Sequence, residues 1–150
     1  MRAVIQRVSE ASVAIGGVVT AHIGGGLLVL VATEESDSPE EIEWLCGKIV
    51  RLRIFDDSQG MMNCPVTETG GEILVVSQFT LFASTRKGNR PSYSRAAPPE
   101  PAKELYEKFL RVLAGAFGKP VHCGVFGADM RVSLVNEGPV TIIIDTKLKE

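Results

Sequence analysis

The apolar run at residues 27–32 constrains the fold of this chain more than any other feature. It follows Gly24-Gly25-Gly26, and such a glycine cluster marks a turn. A strand that is apolar at every position has both faces buried, because a strand with one wet face alternates apolar and polar residues. The sequence therefore predicts a central strand with a layer of structure on either side.

Further strand-like segments precede and follow this central strand. Gly16-Gly17 is a two-residue hairpin signal, so the strands on either side of it should pair antiparallel. The predicted strands cover residues 2–8, 12–15, 18–23, 72–76, 121–125, 130–135 and 140–144.

A capping box marks the start of the first predicted helix. Ser38 takes the N-cap position, Pro39 is the first helical residue, and Glu41 can bond back to the N-cap. Apolar residues then recur at helical spacing, namely Ile42, Leu45, Ile49 and Leu52. The helix should end near Arg53.

The second predicted helix covers residues 100–117 and is stopped by Gly118 and Pro120. Its predicted apolar stripe consists of Leu105, Phe109, Val112 and Ala116. The preceding stretch, residues 85–101, is irregular, and loops of that length are usually functional or disordered. The order strands, helix, strand, helix, strands predicts one α/β domain over residues 1–150, with mixed sheets and two helices.

Charge and hydropathy exclude several classes of protein. The net charge is -2, whereas a protein that grips a long nucleic acid normally carries a basic surplus. Any nucleic-acid contact should therefore be short, such as a single-stranded end. No apolar run reaches the roughly 18 residues of a membrane span. The first residues enter strand-like sequence without a signal-peptide pattern, so a cytoplasmic location without a membrane partner is expected.

Cysteine and histidine form no recognisable site in the sequence. The cysteines are odd in number, widely spaced and without a C-x-x-C pair, which favours reduced thiols over disulfides or structural zinc. Neither histidine lies in a catalytic motif, and no G-x-S-x-G elbow is present. No metal is expected, and both histidines should be surface or structural residues. These residues are Cys46, Cys64, Cys123, His22 and His122.

Two short motifs lie far apart in the chain. Ser77-Gln78-Phe79-Thr80 caps the apolar run 73–76, and Gly138-Pro139-Val140-Thr141 lies between two strand-like segments. They resemble the SQFT and GPVT signatures of the D-aminoacyl-tRNA deacylase (D-tyrosyl-tRNA deacylase) family. The resemblance extends over essentially the whole chain and includes residues 1–8, 53–55, 88–92 and 126–130.

This resemblance implies a three-layer α/β/β fold and a homodimer with active sites at the subunit interface. The implied activity is hydrolysis of the ester between a D-amino acid and tRNA, and of glycine mischarged on a non-cognate tRNA such as tRNA-Ala. The tRNA would be bound by its 3′ terminal adenosine, and no cofactor is implied. The chain has Glu137 where the family usually has Asp, a change that bears only on how the adjacent loop is braced.

The resemblance assigns the second motif to substrate binding. It implies a cis peptide between Gly138 and Pro139, in a segment that includes Val140 and Thr141 and projects into the partner's active site. The carbonyls flanking a cis bond lie side by side and can accept from an α-ammonium group. The proline ring would block an L side chain, so that D residues and glycine pass. Arg7 is implied to hold the partner's Gly138-Pro139 segment in place.

The first motif is assigned to catalysis. Ser77 or Thr80 could act as a nucleophile only with a base within hydrogen-bond reach, and the sequence offers no clear base. The alternative is an oxyanion hole made by the backbone N–H groups of Phe79 and Thr80 at the strand end. Gln78 suits the floor of the pocket. The family is thought to use the 2′-OH of the terminal adenosine to help activate water.

Several assignments stay open at this point. Phe126 and Met130 match family positions that line the adenosine pocket, with core packing an equal alternative for Met130. The basic residues of the irregular stretch either contact tRNA phosphates or form a solvated cluster; they are Arg86, Lys87, Arg90 and Arg95. The chain could also be a non-catalytic nucleic-acid-binding module or a conventional serine or threonine esterase. Hydrolysis of D- versus L-aminoacyl-tRNA separates these alternatives.

Overall fold

The computed structural model describes residues 1–149, in which eight β-strands and two α-helices form a mixed α/β fold. The strands are β1 (Arg2–Ile15), β2 (Val18–Ile23), β3 (Gly26–Ala32), β4 (Phe55–Asp56), β5 (Met62–Cys64), β6 (Glu72–Ser77), β7 (His122–Cys123) and β8 (Arg131–Asp145). The helices are α1 (Pro39–Arg51) and α2 (Pro99–Phe117). Across these 149 residues, no helix combines the length and the apolar character that crossing a membrane requires.

Strand β1 organises the main sheet because it pairs with three other strands. On one edge it pairs antiparallel with β3 along its first half and with β2 along its second half. On the other edge it pairs antiparallel with β8 along almost its whole length. β6 and β7 extend the sheet beyond β3 as parallel neighbours, while β4 and β5 form a separate hairpin. The first and last strands of the fold therefore lie side by side.

The central strand β3 is covered on both faces, as predicted. Leu27, Val29 and Val31 pack against α1 and α2 in one apolar core. Leu28, on the opposite face, packs with residues of β1, β2 and β6 in a second core. Helices thus cover one face of β3, and other parts of the curved sheet cover the other face. The three-layer α/β/β arrangement is confirmed.

The capping box at the start of α1 is confirmed. The Glu41 backbone N–H donates to Ser38 Oγ at 3.3 Å, and the Ser38 N–H donates to Glu41 Oε2 at 3.0 Å. These bonds satisfy donors that every helix leaves free at its first turn. The helix ends at Arg51, slightly before the predicted Arg53, because Leu52 adopts a ψ of 119° and leaves the helical conformation.

The apolar stripe predicted for α2 is partly wrong. Ala116 is exposed, and Leu105 and Val112 lie at the margin of the core. The stripe is rotated so that Tyr106 and Phe117 become buried, since large aromatic side chains gain most from burial. The buried residues of the helix are Ala102, Tyr106, Phe109, Leu113 and Phe117. Gly118 ends the helix in the left-handed conformation, with φ 77°, as predicted.

Two predicted strand pairs turn out to be single strands. β1 does not end at residue 8, because Glu10 and Ala11 pair with β8. β8 likewise continues through Gly138-Pro139, and the register of its pairing with β1 shifts around Arg7 and again between Val8 and Glu10. A bulge shifts the register between two long strands without ending either of them. The strand predicted at 121–125 is shorter than expected, since β7 pairs with β6 over only two residues.

Candidate functional site

A cavity of about 660 Å³ opens where β3 and β6 end side by side. Because these two strands are parallel, their carboxyl ends and the loops that follow meet at the same edge of the sheet. The start of α2 and the segment 126–130 complete the wall. The wall is mostly apolar with a few polar groups, which is typical of sites for small ligands.

The motif at residues 77–80 lies at this edge. Ser77, Gln78 and Phe79 line the cavity, whereas Thr80 lies outside the lining. The Gln78 backbone N–H donates to the Val31 carbonyl at 2.8 Å, which ties the motif to the end of β3. The Gln78 side-chain amide donates to the Thr80 hydroxyl. The motif is thus fixed to the sheet at one end and cross-linked within itself.

The backbone N–H groups of Phe79 and Thr80 have no hydrogen-bond acceptor among residues 1–149. A single turn of 3-10 helix covers Phe79–Phe82, and the first N–H groups of a helix have no acceptor within it. Neither N–H donates to another group of residues 1–149, whereas the Leu81 N–H donates to the Gln78 carbonyl at 3.1 Å. Two adjacent free donors of this kind can stabilise negative charge on a ligand oxygen.

Aromatic and sulfur-containing side chains form the deeper wall of the cavity. The buried Tyr106 hydroxyl donates to the Val75 carbonyl at 3.4 Å, and the Phe126 ring centroid lies 5.7 Å from that of Tyr106. Burial raises the pKa of Tyr106 further above neutral pH. Met130 both lines the cavity and packs on the second core. Gly124 allows this, because a Cβ there would lie 2.5 Å from the Met130 sulfur.

Two exposed aromatic rings stand at the mouth of the cavity. Phe79 and Tyr93 meet edge to face, with their ring centroids 5.1 Å apart and their planes at 76°. Both residues line the cavity, and they remain 57% and 38% exposed. The loop that carries Tyr93 is held by Ser84 and Ser92, whose backbones exchange hydrogen bonds of 2.8 and 2.9 Å. The mouth is therefore formed by a fixed aromatic pair.

The four basic residues of the irregular stretch do not behave alike. Arg95 lies 3.6 Å from the Glu34 carboxylate, and its guanidinium lies 5.2 Å from the Phe82 ring centroid. It therefore fastens the loop to the body of the protein. Within residues 1–149 the other three form no salt bridge and are exposed; they are Arg86, Lys87 and Arg90.

The second motif lies in a bulge of β8 at the protein surface. Around Arg7 the register between β1 and β8 shifts, so that residues 137–140 are left outside the ladder. The Gly138-Pro139 bond is cis, as the resemblance implies, and both residues are exposed. Gly138 has φ +125°, and a Cβ there would lie 2.8 Å from Val140 Cγ2. The bulge accepts only glycine at this position.

Arg7 and Asn136 hold this bulge in place. Arg7 Nε donates to the Glu137 carbonyl at 3.1 Å, and Arg7 Nη1 donates to the Ile54 carbonyl at 2.7 Å. The Asn136 amide donates to the carbonyls of Arg7 and Val140, each at 3.0 Å. Arg7 therefore contacts the Gly138-Pro139 bulge of its own chain, and the predicted contact of Arg7 with the partner's segment stays a prediction.

The two motifs do not meet within one chain. Arg7 pairs with Leu27 near the start of β3, and the cavity begins at Val31. Four residues of strand span about 13 Å, and β8 lies two strand spacings, about 10 Å, to the side of β3. Residues 138–141 and Arg7 are accordingly absent from the cavity wall.

Neither histidine lines the cavity. His122 Nε2 lies 3.1 Å from the Glu72 carboxylate, at the end of β6 remote from Ser77. His22 lies in a small groove on a different face of the sheet. Both are exposed, as predicted. The Ser77 hydroxyl therefore has no imidazole base within reach.

All three cysteines are free thiols. Burial raises the pKa of the Cys46 thiol to about 12, and partial burial also raises the pKa of Cys123. Such thiols are not nucleophilic at neutral pH. In the part of the chain that the structure describes, no three His, Cys, Asp or Glu side chains cluster to hold a metal.

Tyr93 and Tyr106 belong to the cavity wall but were not predicted from the sequence. Tyr106 could have been found from the α2 stripe, had the stripe been placed one residue later. Tyr93 has a weaker signal, since it is simply an aromatic residue in a proline- and arginine-rich loop.

Residues 4–145 match the family model described as D-Tyr-tRNA(Tyr) deacylase. A protein named D-aminoacyl-tRNA deacylase from Bacteroides thetaiotaomicron is 61% identical to the chain over 150 residues. A protein of the same name from Flavobacterium johnsoniae is 56% identical over 150 residues. Each alignment covers 100% of both sequences.

Two solved structures are similar to this one. That of a c-Myc DNA Unwinding Element Binding Protein has a TM-score of 0.92 and 41% sequence identity, and the match covers 97% of this chain and 98% of the other. A probable eukaryotic D-amino acid tRNA deacylase has a TM-score of 0.80 and 20% identity, with 95% and 97% covered. At that identity the second likeness shows the fold alone.

Proposed function

The chain belongs to the D-Tyr-tRNA(Tyr) deacylase family and is a D-aminoacyl-tRNA deacylase, a hydrolase, and from this premise we propose that the cavity at the ends of β3 and β6 is its active site. Water adds to the ester carbonyl carbon, the bond to the ribose oxygen breaks, and free amino acid and tRNA leave. One observation carries this assignment: distant segments bring Ser77, Gln78, Phe79, Phe126 and Met130 into one cavity.

In this proposal the backbone performs the electrostatic part of catalysis. The free N–H groups of Phe79 and Thr80 receive the oxyanion that forms when water attacks the ester, and each such donor typically supplies a few kcal/mol. The remoteness of both histidines disfavours Ser77 or Thr80 as a covalent nucleophile. The 2′-OH of the terminal adenosine would instead help to activate the water, and Gln78 would orient the substrate.

The adenosine would lie against the deeper wall of the cavity. Phe126 presents a half-buried ring there, and Met130 presents a polarisable thioether beside it. Stacking of a base on an aromatic ring is worth about 1–3 kcal/mol. The Tyr106 ring packs against Phe126 and would support it. The Tyr106 hydroxyl donates its hydrogen bond to the Val75 carbonyl, so it would not bind the adenosine.

The second motif would act in the cavity of another copy of the chain, so that a homodimer contains two shared sites. The support is geometric: residues 138–141 are held firmly at the surface, and they lie too far from the cavity of their own chain to reach it. Carbonyls of this segment would accept from the α-ammonium group, and the Pro139 ring would exclude L side chains. Glycine, also when mischarged on tRNA-Ala, would be accepted. An activity on tRNA supports the proposal of a cytoplasmic location.

The test compares hydrolysis of D- and L-aminoacyl esters of the same tRNA, together with glycyl-tRNA-Ala. The parent protein should hydrolyse the D and glycyl esters and spare the L ester. Pro139→Ala removes the exposed ring and should bring the ratio of D to L rates toward one. Pro120→Ala, at another exposed proline, is the matched control and should keep the parental ratio. A Pro139→Ala protein with full selectivity, or a monomer with full activity, would contradict the shared-site proposal.

A second candidate function is DNA binding. It is favoured by the 41% identity to a structure of a protein named as a DNA-unwinding-element binder, and by the exposed Arg86, Lys87 and Arg90. The net charge of -2 opposes a long duplex contact. Fluorescence anisotropy with single- and double-stranded DNA near physiological salt tests it. If the protein binds DNA of the unwinding-element type no more tightly than DNA of random sequence, a specific DNA site is excluded.

A further inference from the structure

The rim of the proposed active site carries two exposed aromatic rings that touch each other. We use the term aromatic rim for Phe79 and Tyr93. Their rings contact each other, line the cavity and are 57% and 38% exposed. Contiguous exposed apolar surface beside a cavity commonly marks a place where something binds.

The sequence around the aromatic rim is rich in basic residues, whereas Asp129 is an acidic residue in the lining of the same cavity. From Ile73 to Pro99 the sequence contains no Asp or Glu, although the whole chain has a net charge of -2. Arg86, Lys87 and Arg90 project from the loop that also carries Tyr93, and they form no salt bridge among the described residues. A local excess of positive charge in an acidic protein favours a polyanionic ligand at this place.

The loop that presents these groups is fastened at both ends. The Ser84–Ser92 backbone pair closes it, and Arg95 anchors it through Glu34 and the Phe82 ring. An ordered platform loses less conformational entropy on binding than a mobile loop would. The aromatic rim is therefore set up for a ligand that combines a flat apolar group with negative charge.

We propose that the aromatic rim stacks the base of the unpaired nucleotide that precedes the terminal adenosine of tRNA, while Arg86, Lys87 and Arg90 contact the phosphates of the single-stranded end. This inference rests on the proposed function, since a nucleotide next to an adenosine in the cavity must pass its mouth. Single-stranded RNA is bound in this way, by bases on aromatic rings and phosphates on basic side chains. A platform for one or two nucleotides also agrees with the low overall charge, because few phosphates are contacted.

The experiment uses the whole protein and D-aminoacyl-tRNA in two forms, one intact and one with an abasic nucleotide before the terminal adenosine. Tyr93→Ala should raise KM for the intact substrate about 5- to 150-fold, the equivalent of one lost base stack. Tyr93→Phe keeps a ring and should restore the parental KM. With the abasic substrate, the KM values of the parent and Tyr93→Ala should agree, because no base is left to stack.

The phosphate contacts have a separate readout. Lys87→Ala should lower the slope of log KM against log salt concentration by about 0.7, the value for one phosphate of a single strand. Arg111→Ala removes an exposed charge from α2 and should leave that slope unchanged.

Each other outcome overturns the inference. If Tyr93→Ala impairs both substrates equally, Tyr93 shapes the cavity and binds no base. If neither substrate is affected, the aromatic rim binds nothing. If Tyr93→Ala converts the protein to monomers, the aromatic rim is a contact between subunits. Failure of the parent protein to hydrolyse either D-aminoacyl-tRNA would instead count against the proposed function itself.

Discussion

Replacing Gly138 by alanine should destabilise the bulge of β8, because the added methyl group has no room there. The added Cβ would lie 2.8 Å from Val140 Cγ2 and 2.9 Å from Arg7 Nη2. Both distances are below ordinary van der Waals contact, so one of these side chains must move. The φ of +125° is also unfavourable for any residue with a side chain.

The expected loss follows from these two effects. A strained backbone conformation costs about 1–3 kcal/mol. If Arg7 moves aside, its hydrogen bond to the Glu137 carbonyl is lost, and hydrogen bonds to charged groups contribute about 1.5–3 kcal/mol. The free energy of unfolding should therefore fall by about 3–5 kcal/mol. For a chain of this length, each kcal/mol lowers Tm by about 2–4 °C.

Gly17→Ala is the matched control, because Gly17 also has a positive φ, +82°, and a Cβ there would meet no atom within 4 Å. It should lose only the backbone part, about 1–2 kcal/mol. Urea unfolding of the two variants measures the difference, and hydrolysis of D- and L-aminoacyl-tRNA reports on selectivity. If Gly138→Ala is no less stable than Gly17→Ala, the contact of Arg7 with this segment does not stabilise it and the argument fails.

Two further predictions concern the first motif and the acid stability of the fold. Thr80→Ala should keep activity within about tenfold, because the backbone N–H survives and only the hydrogen bond from Gln78 is lost; a loss near a million-fold in kcat would instead identify a nucleophile. Burial opposes ionisation of Glu41, yet hydrogen bonds from Lys147 and the Ser38 backbone lower its pKa from 4.5 to about 2. A lowered pKa stabilises the folded state above pH 4.5, so Glu41→Gln should cost up to about 3 kcal/mol at pH 7. In urea unfolding the gap to the parent should close as the pH falls from 4.5 to 2; a gap independent of pH would contradict the assignment.

Local signals predicted the helices well. Ser38 and Glu41 form their reciprocal bonds within one turn, so a local pattern predicts the start of α1, to which Lys147 adds a distant hydrogen bond on the Glu41 carboxylate. The strand boundaries were less predictable, since the continuity of β1 depends on pairing with β8 at the far end of the chain. The rotation of the α2 stripe has the same origin, because the sheet and not the helix decides which side chains become buried.

The sequence predicted the site residues that belong to a motif. It did not predict the residues that only the fold brings to the cavity. Ser77, Gln78 and Phe79 follow a recognisable buried strand, and the cavity opens at its end. Tyr93 and Tyr106 reach the same cavity from a loop and a helix whose placement no local pattern encodes. The resemblance implies a contact of Arg7 with the partner's Gly138-Pro139 segment, and the register shift in β8 shows that Arg7 also contacts this segment in its own chain.

The pairing of β1 with β8 has a consequence for biosynthesis. The ribosome synthesises β1 before β8, so one edge of β1 stays without its partner while residues 16–130 are made. Unpaired strand edges promote association with other chains, and pairing over such a sequence separation is slow. The bulge with Gly138 and Pro139 is part of this last strand. The segment proposed to select D residues therefore takes its place in the same step in which β8 pairs with β1. A nascent chain without β8 would lack both the paired edge of β1 and this segment.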